Sequence, residues 1–374
     1  MYIEELNLRN FRNYGSLDLK ANPFLNIFIG DNAQGKTNIL EAVYYTATGR
    51  SHRTSKENEL LRWQEKYFQI EVQAEKYQRK IKIEIISLAD NRKKLKINGV
   101  PKKRMAELVG EINVVLFSPE DLMLVKGGPV VRRKYLDNEI SQVSHTYCHN
   151  LINYNKALFQ RNNLLRSIRE GKEKPQSLDI WDMQLAEFGQ RIICKRLEVL
   201  KKLMPLARLM HRKITNGLEE LEIRYYSSVD LKDEVSGDNI KENFIQLLNK
   251  LRREEITRGI TLAGPHRDDF GLFVLGQDMR LFGSQGQQRT CALSMKMAEL
   301  EFMRAETGEY PILLLDDVMS ELDDHRRKFL LEVVYKKIQT FITATTLTYF
   351  KEIGNKEYTL FEVNKGTINT ECRR

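Results

Sequence analysis

No apolar run in this sequence is long enough to cross a bilayer, and the opening MYIEELNLRNF has acids where a secretory leader would have a basic segment and an apolar block. A cytoplasmic protein with no membrane partner is expected. Cysteine is scarce. Cys148, Cys194, Cys291 and Cys372 form no CxxC pair and have no histidines at zinc spacing, which argues against a disulfide framework or a structural metal. With 8 prolines and 21 glycines in 374 residues there is little to keep the chain unfolded. Internal repeats, low-complexity tracts and a sustained heptad pattern are absent as well, so neither a solenoid nor an extended coiled coil is predicted.

The composition is 41% hydrophobic and 30% charged, the balance of a soluble globular protein large enough for two or three lobes. Lysine and arginine (60) outnumber aspartate and glutamate (51), giving a formal charge of +9. That excess makes a polyanionic partner such as nucleic acid or a membrane surface plausible. By itself it is a weak signal, because lysines often do no more than solvate a face.

Short strand-like runs fill the first stretch: LNIFIG, FQIEVQAE, KIKIEIISLA, and KLKINGVP with an Asn98-Gly99 hairpin signal. Long helix-period segments follow, interrupted by the polar loop GKEKPQS and by a turn at Ser236–Asn239. Strand character then returns in FGLFVLGQDMRLF, followed by the helix CALSMKMAELEFMRAETG and the apolar strand PILLLDD. The pattern predicts an α/β fold in which a helical lobe at 119–257 splits one domain built from 1–118 and 258–374.

Gly30-Asp31-Asn32-Ala33-Gln34-Gly35-Lys36-Thr37 fits GxxxxGK[ST] and stands between an apolar strand and the helix-compatible NILEAVYYTAT. Glycines permit the tight path, loop amides and the helix N-terminus face phosphates, Lys36 can reach the β/γ oxygens, and Thr37 can ligate magnesium. An ordinary glycine-rich turn does not require the Lys-Thr pair in this context. The buried-strand pattern Ile312-Leu313-Leu314-Leu315 ends in Asp316, placed to complete a magnesium shell, and Asp317, able to orient or deprotonate water. Helix-capping acids would explain neither that strand nor the phosphate loop. In Gly283-Ser284-Gln285-Gly286-Gln287 a second helix begins and offers a second anion-binding N-terminus, which one ATP within one subunit does not need.

These motifs together resemble an ABC-type ATPase head: a Walker A loop, Ser284-Gln285-Gly286-Gln287 in place of the SGGQ signature core, a Walker B strand, and Ser320-Glu321-Leu322-Asp323 similar to the D-loop. The wording is closer still to the RecF family of SMC-related DNA-repair ATPases. LNLRNFRNY, GDNAQGKTNILEA, GRSHRT, FSPEDLMLVKGGPVVRRKYLD, AGPHRDDF, GSQGQQRT and LLLDDVMSELD all resemble it, in that order, from Leu6 to Asp323.

The resemblance implies a head with an inserted helical lobe II and no long coiled coil. It implies ATP and Mg2+ as cofactors, bound by Gly30 through Asn38, with Thr37 and Asp316 on the metal and Asp317, Lys36 and Asp316 as the catalytic set. Ser284, Gly286 and Gln287 would meet the nucleotide of a second subunit, and Arg12 and Arg53 would approach nucleotide or DNA. Binding would drive head-to-head dimerisation and DNA clamping at gaps or single-strand/double-strand junctions. Slow, DNA-stimulated hydrolysis would release the clamp, with RecO and RecR as partners in loading RecA. Loop charge that does no more than meet solvent explains Arg12, Arg50, His52 and Arg53 equally well one by one. Lys93-Lys94-Leu95-Lys96, Lys102-Lys103-Arg104 and Arg132-Arg133-Lys134 would together neutralise several phosphates. His266 in AGPHRDDF is expected to be structural.

Departures from the wider ABC pattern are an aspartate (Asp317) for the usual catalytic glutamate, no switch histidine in FITATT, where Thr343, Thr345 or Thr346 stands instead, and no Q-loop glutamine near FSPED. A transporter ATPase subunit shares the head motifs, but the long helical insertion and AGPHRDDF argue against it. An SMC-type architectural protein needs a longer arm.

Overall fold

The computed structural model describes residues 1–90, 92–231, 237–335, 337–353 and 357–373. In chain order the strands are β1 (Tyr2–Phe11), β2 (Tyr14–Lys20), β3 (Leu25–Ile29), β4 (Tyr67–Lys76), β5 (Arg79–Leu88), β6 (Lys93–Ile97), β7 (Val100–Lys102), β8 (Val114–Phe117), β9 (Leu221–Tyr226), β10 (Asp269–Val274), β11 (Gln277–Asp278), β12 (Ile312–Asp316), β13 (Thr340–Ala344), β14 (Tyr358–Asn364) and β15 (Thr367–Arg373). The helices are α1 (Lys36–Thr48), α2 (Leu122–Lys126), α3 (Pro129–Val143), α4 (His145–Arg169), α5 (Asp179–Ile214), α6 (Gly237–Arg258), α7 (Gln285–Thr307) and α8 (Asp324–Val334). They form two compact units, Met1–Asp121 with Lys296–Arg374, and Leu122–Met295.

The first unit carries two six-stranded sheets, ordered β2-β1-β4-β5-β6-β7 and β15-β14-β3-β13-β12-β8. In the first sheet apolar residues alternate along β4 and β5, as FQIEVQAE and KIKIEIIS predict, and pairing is antiparallel throughout. Asn98 and Gly99 turn β6 into β7 with φ of 51° and 77°, the doubly positive geometry of a two-residue hairpin. The second sheet is parallel from β14 to β8, and only the edge strand β15 runs antiparallel. Ile312, Leu313, Leu314 and Leu315 are wholly buried there, each contributing about 1.5–3 kcal/mol relative to exposure. Helix α1 shares a core with both sheets: Ile39, Leu40, Val43 and Tyr45 cluster with Phe11, Phe68, Ile70, Phe28 and Phe341.

The second unit is mainly helical. Its longest helix, α5, has 36 residues, about 54 Å, and stops far short of a coiled-coil arm. GKEKPQS becomes the α4–α5 connection, with a short 3-10 turn at Pro175–Leu178, and the turn expected at Ser236–Asn239 lies partly outside the described residues. Unusually for a helical core, its centre is ionic. Fully buried Arg161 donates to Asp182 (2.7 Å), Glu255 (2.7 Å) and Thr261 (2.8 Å). Arg196, 2% exposed, donates to Asp137 (2.7 Å) and the Pro265 carbonyl (2.7 Å). AGPHRDDF threads through this network: His266 Nδ1 meets Tyr154 Oη at 2.6 Å, and Asp268 accepts from Tyr225 and Ser228. Gly264 is required because a Cβ would lie 2.5 Å from both Phe244 and Tyr154, at a φ of 122°.

Sequence character puts the return to the first domain near 258, but the structure keeps residues up to Met295 in the second unit. Strand pairing is the reason. β9, which lies between α5 and α6, pairs antiparallel with β10 from Leu221↔Val274 to Tyr226↔Asp269, and β11 completes a three-stranded sheet. FGLFVLGQDMRLF therefore extends the helical lobe rather than the large sheets. The first boundary falls at Asp121 rather than 118.

Candidate functional site

The phosphate-loop motif folds in the first unit as strand, loop and helix, with β3 ending at Ile29 and α1 beginning at Lys36. Two glycines make the path possible. A Cβ on Gly30 would stand 2.3 Å from the Val363 carbonyl oxygen, and one on Gly35, at φ 117°, 2.5 Å from Asn13 Nδ2. Neighbouring turns clamp the loop. Asn13 Nδ2 donates to Gln34 O (2.8 Å), Tyr14 Oη donates to Gly35 O (3.1 Å), and the backbone amides of Lys365 and Gly366 donate to Gln34 Oε1 (2.8 Å) and Gln34 O (3.1 Å). None of these four residues is marked by the motif, because each reaches the loop through strand pairing remote in sequence.

Lys36 is 7% exposed, and its ammonium donates to the carbonyls of Gly30 (2.6 Å) and Asp31 (2.8 Å), which holds it in the mouth of the loop. Burial lowers its pKa, against the opposing pull of Asp317, Asp31 and Asp316. Thr37 Oγ1 donates to Asp316 Oδ1 at 2.8 Å, joining residues 279 positions apart. Asp316 and Thr37 are brought together because β12 and β3 flank β13 in one parallel sheet and end at the same edge.

Thr343, at that edge on β13, is fully buried. It donates to Asp316 Oδ1 (2.8 Å) and accepts from the Asp317 amide (2.9 Å). Of the three threonines that stand where a switch histidine would, Thr343 thus braces the acidic pair from below, while Thr346 faces Thr348 at 3.1 Å and Thr345 is exposed. Asp317 adopts a left-handed φ of 53°, and its buried Oδ1 has no hydrogen-bond partner. Burial raises its pKa; Lys36 opposes the rise, while Asp316 and Glu321 reinforce it.

The donor set fits a triphosphate with magnesium. A hydroxyl and a carboxylate oxygen 2.8 Å apart are hard ligands suited to Mg2+, which usually keeps several waters and takes its other ligands from phosphate. Among the described residues no group of three or more His, Cys, Asp or Glu could hold a metal by itself. Asp317 Oδ1 is an unsatisfied acceptor suited to a water proton.

Arg12 and Arg53 meet α1 from outside the loop. Arg12 Nε and Nη2 donate to the fully buried Glu41 at 2.8 and 2.7 Å, and its Nη1 donates to the Glu59 carbonyl at 2.7 Å. Its donors are therefore taken up by a buried carboxylate and a backbone carbonyl. Arg53 Nη1 lies 3.6 Å from Glu41 Oε2 and donates to Asn38 Oδ1 at 2.9 Å, and its side chain is 43% exposed. His52 stacks edge-on against Tyr44, and burial lowers its pKa to about 4, so it is neutral at pH 7. Among the basic clusters, Arg132 is paired with Asp269 (2.7 Å) and Arg133 donates to the Asp268 carbonyl, which leaves Lys134 exposed; Lys94, Lys96, Lys103 and Arg104 also face solvent.

Ser284, Gly286 and Gln287 lie in the second unit, where α7 begins. Ser284 and Gly286 are exposed. The Ser284 amide donates to Gln287 Oε1 (3.0 Å) and the Gln287 amide to Ser284 Oγ (3.2 Å), a reciprocal capping box that presents the helix N-terminus to the outside. Leu281 and Phe282 beside it are 70% and 69% exposed.

The profile of the RecF/RecN/SMC N terminal domain family matches residues 2–369. The DNA replication and repair protein RecF of Halothermothrix orenii is 50% identical over 374 residues, 98% of each chain, and that of Bacillus cytotoxicus is 45% identical over the whole of both. A solved structure of the recombination mediator protein RecF with ATP, in the RecFOR pathway, superposes with a TM-score of 0.93 at 39% identity, covering 99% of this chain and 98% of that one. The Smc head domain of Pyrococcus furiosus, at 16% identity, TM-score 0.56 and coverage of 99% and 96%, shares the fold.

Proposed function

From the premise that the chain belongs to the RecF family and has the ABC-type ATPase head fold of RecF and Smc heads, we propose that it is an ATP-dependent DNA-binding protein of recombinational repair whose ATP-bound form is a head-to-head dimer. The observation that carries this reading is the convergence of Lys36, Thr37, Asp316 and Asp317 at one sheet edge. Lys36 and the loop amides hold the β and γ phosphates. Thr37 and Asp316 hold Mg2+, which supplies charge neutralisation on the phosphate oxygens. Asp317 orients the attacking water through its unpaired Oδ1.

An aspartate in that role sits one methylene farther from the water than a glutamate, which favours slow turnover and a switch over a motor. The capped, exposed Ser284–Gln287 terminus is the half offered to the nucleotide of a second copy. Exposed lysines and arginines on a +9 chain then meet duplex and gapped or single-stranded DNA through phosphates, with hydrolysis weak and DNA-stimulated. RecR with RecO, and the loading of RecA, are the expected partners and outcome, in the cytoplasm.

Light scattering with Asp317→Asn and ATP tests the dimer, and a monomer under those conditions would count against it. Binding to duplex, single-stranded and gapped DNA across a salt series tests the clamp, for which a steep negative salt slope is expected and a flat one would discard it.

A further inference from the structure

Behind the exposed signature lies a buried hydrogen-bonded chain that no motif marks. His211, in the last turn of α5, is fully buried. Past it, Asn216 and Gly217 reverse the chain with φ of 52° and 78°, which delivers Glu219 to a position two residues before β9. Glu219 Oε1 accepts from Gln287 Nε2 at 2.8 Å, and Glu219 Oε2 lies 3.2 Å from His211 Nε2. On the other side of the ring, His211 Nδ1 lies 3.1 Å from Ser294 Oγ, and that hydroxyl donates its proton to the Thr290 carbonyl at 2.7 Å. Ser294 can then only accept from His211, so Nδ1 carries a hydrogen, and the Nε2–Oε2 contact is an ion pair in the imidazolium form. The pair is thereby tied from α7 back to α7, through the end of α5.

This arrangement decides which way the Gln287 amide points. A carboxylate can only accept, so Gln287 must turn its NH2 toward Glu219 and its carbonyl toward the Ser284 amide, the orientation that closes the capping box. Ser284 Oγ accepts from the Gln287 amide, and its hydroxyl proton stays available to donate to a ligand at the exposed helix end. We propose that Glu219, steadied by His211, is a positioning residue for the signature: it fixes the Gln287 amide and through it aims Ser284 and the α7 N-terminus at the terminal phosphate of a nucleoside triphosphate held by a second copy of the chain. The proposal rests on the reading of the signature given above.

The test compares Glu219→Ala, Glu219→Gln and Ser284→Ala in the full-length protein, with three readouts: binding of a fluorescent ATP analogue by the isolated monomer, ATP-dependent dimerisation by light scattering, and Tm. Glu219→Ala is expected to bind the analogue like wild type and to weaken the dimer by about tenfold or more, the loss of one charge-assisted hydrogen bond. Glu219→Gln is the rescue. Its carbonyl still accepts from Gln287 and its NH2 can face a neutral His211 Nε2, so dimerisation near the wild-type level is expected.

A Glu219→Gln protein as defective as Glu219→Ala at unchanged Tm would overturn the amide-orientation argument, and so would a Glu219→Ala protein that loses monomer nucleotide binding in the same proportion. A Ser284→Ala protein that fails to dimerise beside a Glu219→Ala protein that dimerises normally would sink this inference alone. Normal dimerisation of Ser284→Ala would remove the signature reading and this inference with it.

Discussion

Replacing Arg12 by alanine tests a strut inside the head, a role that only the structure shows, against the contact to nucleotide or DNA that the sequence leaves level with plain solvated charge. Glu41 is fully buried on α1 and accepts from Arg12 Nε and Nη2 and from Ser51 Oγ (2.5 Å). Burial alone would raise its pKa, but the hydrogen bonds from Arg12 and Ser51 outweigh that cost and hold it below the ordinary value. Arg12→Ala leaves Ser51 and the more distant, half-exposed Arg53 beside a buried carboxylate. Breaking a buried pair by removing one partner costs about 3–5 kcal/mol; with the Arg12 side chain 18% exposed, the lower end applies, about 3 kcal/mol.

The cost has a pH signature. In wild type the depressed Glu41 pKa contributes stability that is present above the unfolded value, about 4.3, and is lost as pH falls through the folded one. In Arg12→Ala burial dominates and the folded pKa rises above the unfolded value, so the deficit is largest at neutral pH and shrinks as pH falls toward 5. Urea unfolding followed by circular dichroism, without nucleotide, at pH 7.5 and at pH 5 measures both effects, and Arg12→Ala/Glu41→Gln is expected to recover most of the loss. A variant within about 0.5 kcal/mol of wild type at pH 7.5, the range of ordinary surface substitutions, would refute the strut.

Gly30→Ala places a Cβ 2.3 Å from the Val363 oxygen, so the loop must leave β14; loss of fluorescent-ATP binding is expected in equilibrium titration, and unaltered affinity would contradict the close approach. Thr343→Val keeps the volume but removes the donor to Asp316 Oδ1, which then has only Thr37, and the acceptor of the Asp317 amide. Steady-state ATPase should fall about tenfold or more, in line with two lost hydrogen bonds of about 0.5–1.5 kcal/mol each, and Thr343→Ser should restore it. His266 is held at a pKa of about 4 by burial, below its unfolded value of about 6.5, so its contribution is present above pH 6.5 and lost as pH falls through 4. Denaturant melts between pH 7 and pH 4 should fall less steeply for His266→Gln than for wild type, by up to about 3 kcal/mol, and parallel curves would show that His266 titrates normally.

The phosphate-loop motif, the paired aspartates, the Ser284–Gln287 helix start and the apolar strand that carries the acids are legible in the sequence, because each is a local pattern of neighbouring residues. The sequence by itself also determined the alternation of β4 and β5 and the Asn98-Gly99 hairpin, since a period of two and a pair of left-handed residues are local properties. Tertiary structure decided the rest. That 258–295 stays with the helical lobe depends on β9 pairing with β10, some forty residues later in the chain, and no local pattern specifies a partner at that distance.

The same holds for residues that act through others. Thr343 looked like one of three equivalent threonines until strand order placed it beneath Asp316 and Asp317. In the sequence Arg12 and Arg132 stand as contacts to nucleotide or DNA or else as solvated charge, and it is the burial of Glu41 and the position of Asp269 that make them internal ion pairs. Glu219 and His211 carry no motif at all. Their place beneath the signature exists only because a left-handed turn after α5 returns the chain to the start of α7, and a hydrogen bond between residues 68 apart is a property of the fold, not of any stretch of sequence.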